Sequence, residues 1–336
     1  MLEAVYRLPQ INLLAQSHKL ESTTDYNWLM VWICVAAIMA ALVSFSYGTR
    51  AGVIARATTK EAIRQPLFFL LLLICGAVLG LNTIMPFFTL EDDVKMLKEC
   101  GLATLLIAGA LLAVWTAGTS ITNEIDGKTA MTLLSKPINR RQFILGKFIG
   151  ILQAVIWLFL PLTLLFATLI YYKVGYDQKE RSEEVTPSVQ WTQISEGVEI
   201  PMPHPDRLKV VNQVLPGIAL SFLQVVVLAA ISVTVATRLP MVVNLVVCFA
   251  IFVIGNLTPL MVQQSETVIQ NEAVTFIARM FATVLPSLES FNVSAAISTG
   301  SVVPPKYLGF AFLYATAYAT AVVLLGFILF EDRDLA

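Results

Sequence analysis

Gly127-Lys128-Thr129 are the residues in this chain where nucleotide chemistry would first be sought, because those three types in that order close a phosphate-binding loop. The complete pattern G-x-x-x-x-G-K-[ST] needs a first glycine so that the backbone curls and successive N–H groups point at the phosphates. Thr122 stands where that glycine belongs, and the run before it, LATLLIAGALLAVWTAGTSIT, reads as a long apolar helix and not as a buried strand. The fragment is therefore no phosphate site, and a chain without a complete loop cannot hydrolyse ATP alone. Metal chemistry fares no better. His18 and His204 are far apart, and Cys34, Cys75, Cys100 and Cys248 form no C-x-x-C pair, so buried structural thiols are expected and no metal or catalytic residue is assigned.

The elements around these residues belong in lipid. Of 336 residues, 57% are hydrophobic and 13% charged, with a mean hydropathy of +0.75; soluble domains carry about a quarter charged residues. The expected class is an all-α polytopic membrane protein. A net charge of −1 and the lack of a basic patch interleaved with aromatics exclude a nucleic-acid partner.

Seven stretches have the length and apolarity of a spanning helix: 28–47, 66–88, 102–122, 149–172, 215–236, 241–260 and 307–330. Basic residues set their orientation. Residues 48–65 carry Arg50, Arg56, Lys60 and Arg64 against Glu61, and 123–148 carry Lys128, Lys136, Arg140, Arg141 and Lys147 against Glu124 and Asp126, so both segments should face the cytoplasm. Loops 89–101, 173–214 and 261–306 then lie outside with the N-terminal tail 1–27, and the tail 331–336 lies inside. Multi-pass insertion in a lipid bilayer is the expected location.

Within 48–65, Arg56, Lys60 and Arg64 recur every four residues and predict an interfacial elbow helix, its bases at the headgroups and Val53, Ala57 and Ile63 toward the acyl boundary. Loop 173–214 is too polar for lipid. Its alternation in SVQWTQI suits a short strand, and it is long enough for a cap that docks an external partner or for a plain linker. A helical period over EAVTFIARMFATVLP, broken by Arg279, predicts an outer-surface segment.

The seven apolar runs contain no Asp, Glu, Lys, Arg or His, which argues against gradient-driven transport, many ion channels and an intramembrane hydrolase. Their polar residues include Asn82, Thr83, Asn244 and Asn256, which either line a translocation path or form interhelical hydrogen bonds. Pro161 should interrupt the fourth span. A membrane part without its own engine must be driven by a partner.

The segment NEIDGKTAMTLLSKPINRRQFILGKFIG (123–150) has the build of a partner-facing element. Asp126-Gly127 turns the chain, Thr129 caps a short helix that Pro137 ends, and Asn139 caps the next helix into the fourth span. The short helix projects Ala130, Met131, Leu133 and Leu134, an apolar set suited to a groove. This segment resembles the cytoplasmic loop of ABC-2-type transporter permeases, the group that includes membrane subunits of nitrous-oxide-reductase maturation and gliding-motility systems. The resemblance rests on Glu124, Lys128-Thr129, Leu133-Leu134-Ser135, Pro137-Ile138, Arg140 or Arg141, Phe143 and Gly146-Lys147.

The resemblance implies a six-helix ABC-2 core (66–330) like that of type V exporters, with 28–47 as an extra N-terminal transmembrane helix. It implies a coupling helix seated in a separate ATP-binding subunit, with Glu124, Gly127, Lys128, Thr129, Leu133, Leu134, Pro137, Arg140, Arg141 and Lys147 serving the contact. It further implies a second permease copy or homologue, and ATP with Mg bound on the partner and none on this chain. Arg140, Arg141 and Lys147 equally suit headgroup anchoring. A different reading is a non-transporting membrane scaffold that recruits an external partner through 173–214.

Overall fold

Gln65 is the single residue between two helices. Its backbone is extended (φ −66°, ψ 139°), as the ring of the following Pro66 demands. In the computed structural model, which describes residues 40–84, 93–126, 139–180, 185–195, 198–264, 276, 280 and 284–331, α1 covers Arg50–Arg64 and α2 covers Pro66–Ile84. Thr49 opens α1 by accepting the Gly52 N–H at 2.9 Å. Then follow α3 (Asp93–Asp126), α4 (Arg140–Glu180), strands β1 (Val189–Ser195) and β2 (Val198–Pro203), and α5 (Pro205–Ala236). The chain continues through α6 (Met241–Gln264), a 3-10 turn (Glu289–Phe291), α7 (Ser294–Ser298) and α8 (Pro305–Glu331).

Six of these helices, α2, α3, α4, α5, α6 and α8, are long and apolar enough to cross a bilayer, which is the all-α polytopic architecture. Several are far longer than a membrane requires. At 1.5 Å per residue the 41 residues of α4 reach roughly 60 Å, twice the ~30 Å hydrocarbon core. Much of what hydropathy marks as loop is accordingly helix: 93–101 belongs to α3, 140–148 and 173–180 to α4, and 205–214 to α5. Hydropathy registers only the length in contact with lipid, whereas helical hydrogen bonding continues into water.

The remainder of the outer segment 173–214 holds the β1–β2 hairpin, antiparallel, with Val189 opposite Pro203 and Thr192 opposite Ile200. The chain divides into two units, 1–48 and 49–336. In the first, residues 40–48 are helical, so only 40–47 of the extra N-terminal span fall among the described residues. The tail 1–27, most of the segment 265–283 and residues 332–336 lie outside them.

In the second unit α5 is the central staff. Its spanning stretch is 78% buried against 22% for α2, α6 and α8, whose outward faces carry Leu73, Phe249 and Phe310. α3, α4, α6 and α8 pack around it, with Leu105, Leu112, Leu158, Phe166, Val225 and Val233 in the shared core. Pro161 in α4 and Pro216 in α5 both sit inside continuous helices.

The helix ends opposite residues 127–138 are joined by polar contacts. Lys173 Nζ meets Asp93 Oδ2 at 2.8 Å, tying α4 to α3. Lys98 donates to Gln213 Oε1 (3.1 Å), and Ser298 Oγ donates to Glu99 (2.6 Å), which fixes α5 and α7 against α3. From α8, Tyr307 donates to Ser290 O and Tyr318 to Val284 O, while the Tyr314 hydroxyl accepts the Ser287 N–H.

Candidate functional site

α3 and α4 deliver the two stems of the segment singled out by sequence. The first stem ends at Asp126. The second begins after Asn139, whose N–H donates to Gln142 Oε1 (3.3 Å) and whose carbonyl accepts from Phe143 N (3.1 Å), half of a capping box. Gly127, Lys128, Thr129, Leu133, Leu134 and Pro137, together with the short helix expected there, lie outside the described residues. Glu124, Arg140, Arg141 and Lys147 lie within them.

Lys147 is the centre of the site. It is 2% exposed, yet it carries an ammonium that meets Glu124 Oε1 at 2.5 Å, Ser120 Oγ at 2.6 Å and Glu61 Oε2 at 3.9 Å. Ser120 in turn donates to Glu61 at 3.0 Å. One base thus faces two acids contributed by different helices: Glu124 and Ser120 from α3, one turn apart, and Glu61 from α1. A buried cation needs such partners, since its desolvation costs several kcal/mol. The Phe143 ring, 5.7 Å from Nζ, adds a cation–π contact.

The packing beneath this cluster comes from glycines. A Cβ on Gly146 would stand 2.7 Å from Ala51 O, and one on Gly150 2.6 Å from Ala55 O and 2.7 Å from Thr58 Cβ. The G-x-x-x-G spacing therefore lets the α1 backbone lie directly on α4. Thr59 donates to Ala55 O (2.8 Å) and lies 3.0 Å from both Gly150 O and Gln153 Oε1. Gln65 Nε2 reaches Thr119 Oγ1 at 3.4 Å.

The elbow helix exists over the expected residues, with Lys60 and Arg64 exposed and Arg56 half-buried. Val53 and Ala57 are exposed and Ile63 half-buried, and the buried face is Ala51, Ile54, Ala55, Thr58, Thr59 and Ala62, laid on α4, where small residues allow close helix contact.

Arg140 and Arg141 have a partner that sequence reasoning missed. Arg140 Nη1 donates to Glu331 O (2.8 Å) and Phe330 O (3.3 Å), satisfying end carbonyls of α8, and Arg141 forms an exposed 3.4 Å pair with the Glu331 carboxylate. The Phe143 and Phe330 rings stack 5.7 Å apart beside them. Glu61, Ser120 and Glu331 were also missed as members of the site. The one available signal for Glu61 was its place as the sole acid in a basic segment.

The four candidates for a translocation path separate. Asn244 is fully buried, donating to Ser232 Oγ (2.9 Å) and accepting from Cys248 Sγ (3.4 Å), so it joins α6 to α5. Asn82 and Thr83 sit partly exposed at the outer end of α2, where Thr83 bonds back to Leu79 O (3.0 Å). Asn256, on α6, lines a cavity. The structure brings Glu124 and Lys147 together and keeps the four amide and hydroxyl candidates apart.

Residues 83–335 match the family model described as ABC-2 family transporter protein. No curated protein sequence matches the chain.

Proposed function

Because the chain belongs to the ABC-2 transporter family, we propose that it couples ATP hydrolysis on a separate ATP-binding subunit to export or to force transmission across the membrane. It is a multi-pass membrane protein and a permease component of an ABC transporter. The family's membrane subunits are not themselves catalytic and generally work with a separate ATP-binding subunit.

The observation that carries the reading is the tie between the two stems. Lys147 on α4 bonds Glu124 on α3, and Ser120 links both to Glu61 on α1. Any displacement applied to residues 127–138 would reach both helices at a joint that is buried and ionic, and would reach the elbow helix through the glycine contact. In this reading Gly127, Lys128, Thr129, Leu133, Leu134 and Pro137 form the coupling element, and ATP and Mg belong to the partner. A second copy or homologue completes the permease, and a bacterial cytoplasmic membrane houses it.

The β1–β2 hairpin favours a second role on the opposite face, recruitment of an external partner by a membrane scaffold. One experiment separates the two readings. The chain is purified with its ATP-binding subunit, and ATPase activity is measured for wild type, Glu124→Ala and Leu133→Asp. Loss of association or of coupling in Leu133→Asp, with the chain still folded in the membrane, supports the coupling reading. Normal association and activity in both variants leaves the scaffold.

A further inference from the structure

α3, α5 and α6 enclose a cavity of about 100 Å³ beneath the outer turn at Phe291 and Asn292. Its walls are apolar, with Leu106 and Phe291 among them, while Ser221, Gln224 and Asn256 supply polar groups from two helices. Gln224 lies 12 residues from the cytoplasmic end of α5, which at 1.5 Å per residue is roughly 18 Å and close to the bilayer middle. The cavity therefore runs from mid-membrane to the outer rim.

Two of these polar groups lack a partner among the described residues. Gln224 is 1% exposed and donates through Nε2 to Asn256 Oδ1 (3.3 Å), but its Oε1 accepts nothing from the described residues. Asn256 turns its own amide to Phe252 O (2.7 Å). Ser221 forms no hydrogen bond with the described residues, whereas Thr104 and Thr258 bond back to the carbonyl four residues earlier. The carbonyl of one buried residue and the hydroxyl of another, three residues apart on one helix face, are thus left for an occupant of the cavity. No charged side chain among the described residues lines the space.

We propose that this cavity binds an uncharged, hydroxyl-bearing group about the size of glycerol, which donates to Gln224 Oε1 and pairs with Ser221 Oγ. A carboxylate or phosphate would enter with no cation to meet it, at a cost that a neutral hydroxyl does not incur. The volume admits one head group and excludes a whole amphiphile, so attached chains must leave through the mouth. The site belongs to the chain itself and does not depend on the ATP-binding subunit.

The test uses the full chain in phosphatidylcholine nanodiscs, with empty nanodiscs as the blank. Equilibrium binding is measured for tritiated glycerol, dioctanoylglycerol and dioctanoyl phosphatidic acid. Saturable binding of a neutral probe at one site per chain, without phosphatidic acid binding, is expected. Dioctanoylglycerol alone assigns a lipid head, and glycerol as well assigns a free polyol. Ser221→Ala and Gln224→Met should each weaken binding roughly fivefold to tenfold, as loss of one hydrogen bond does. Ala103→Leu, which fills the space, should abolish it, and Leu164→Ala on the lipid face should change nothing. Absence of saturable binding by either neutral probe, equal binding of phosphatidic acid, or unchanged affinity in both Ser221→Ala and Gln224→Met overturns the proposal.

Discussion

Lys147 Nζ lies 2.5 Å from Glu124 Oε1, and this contact joins α3 to α4 where the two helices leave the membrane. Because the lysine is almost wholly buried, removing one partner strands the other. Lys147→Met removes the ammonium that Glu124, Ser120 and Glu61 share. We expect a loss of about 3 kcal/mol, in the range for breaking buried pairs, read as a lowered thermal midpoint in nanodiscs. The double variant Lys147→Met/Glu124→Gln should recover part of it. Equal midpoints for wild type and Lys147→Met would mean that water already compensates the charge.

Gly150 holds the elbow helix against α4 through a contact that admits no side chain. Gly150→Val should push α1 away, because the atoms in its path are the Ala55 backbone and the Thr58 side-chain base. Ala62, buried in wild type, is the reporter. Ala62→Cys should be protected from a small maleimide in the parent and should react in the Gly150→Val background. Continued protection would show that the helices accommodate the methyl groups by a shift elsewhere.

Six of the spans, their order and the helix over Arg50–Arg64 were legible in the sequence because each has its own periodic or compositional signal. Apolar runs of about 20 residues mark lipid contact, and bases four residues apart marked α1. The ends of α3, α4 and α5 were not legible, since helices that project into water lose the hydropathy signal while keeping their hydrogen bonds. Glu124 and Lys147 could be named from the resemblance, but their pairing could not. It depends on α3 and α4 packing in one register, and it draws in Glu61 from a segment 59 residues before Ser120. The Arg140 contact with Glu331 is more distant still, 191 residues apart in the chain. Gly146 and Gly150 show the opposite case: their spacing was visible, and its use in helix contact was overlooked.

On the outer face Lys173 and Asp93 form a largely buried 2.8 Å pair. Asp93→Asn should destabilise the chain by about 2 to 3 kcal/mol, because it leaves the ammonium enclosed without its anion. Exchange of the two residues, Asp93→Lys with Lys173→Asp, should restore part of the thermal midpoint if pairing matters more than local setting. A midpoint unchanged in Asp93→Asn would assign the compensation to the Tyr176 ring, 5.0 Å from the Lys173 ammonium.

Gly175 leaves room for Arg207, which bonds the Thr186 hydroxyl at 3.2 Å and packs over the Tyr171 ring at 5.5 Å. A methyl group at Gly175 would occupy the guanidinium's place. Gly175→Ala should therefore release the chain just before β1 while sparing the membrane core. Faster hydrogen exchange over residues 185–195, with unchanged exchange over 220–236, is the expected pattern; uniform protection in both segments would count against it.

Asn244 decides whether buried polar residues in the spans act as path or as joint. Its amide sits between Ser232 and Cys248 with no exposed surface. Asn244→Leu should then lower stability by about 1 kcal/mol, the range for an interhelical hydrogen bond in membranes, by removing the 2.9 Å amide partner of the Ser232 hydroxyl. Ser232→Ala combined with Asn244→Leu should cost less than the sum of the two single changes, since each removes the other's partner. Strict additivity would mean that the two side chains do not depend on each other, and Asn244 would return as a candidate for the path.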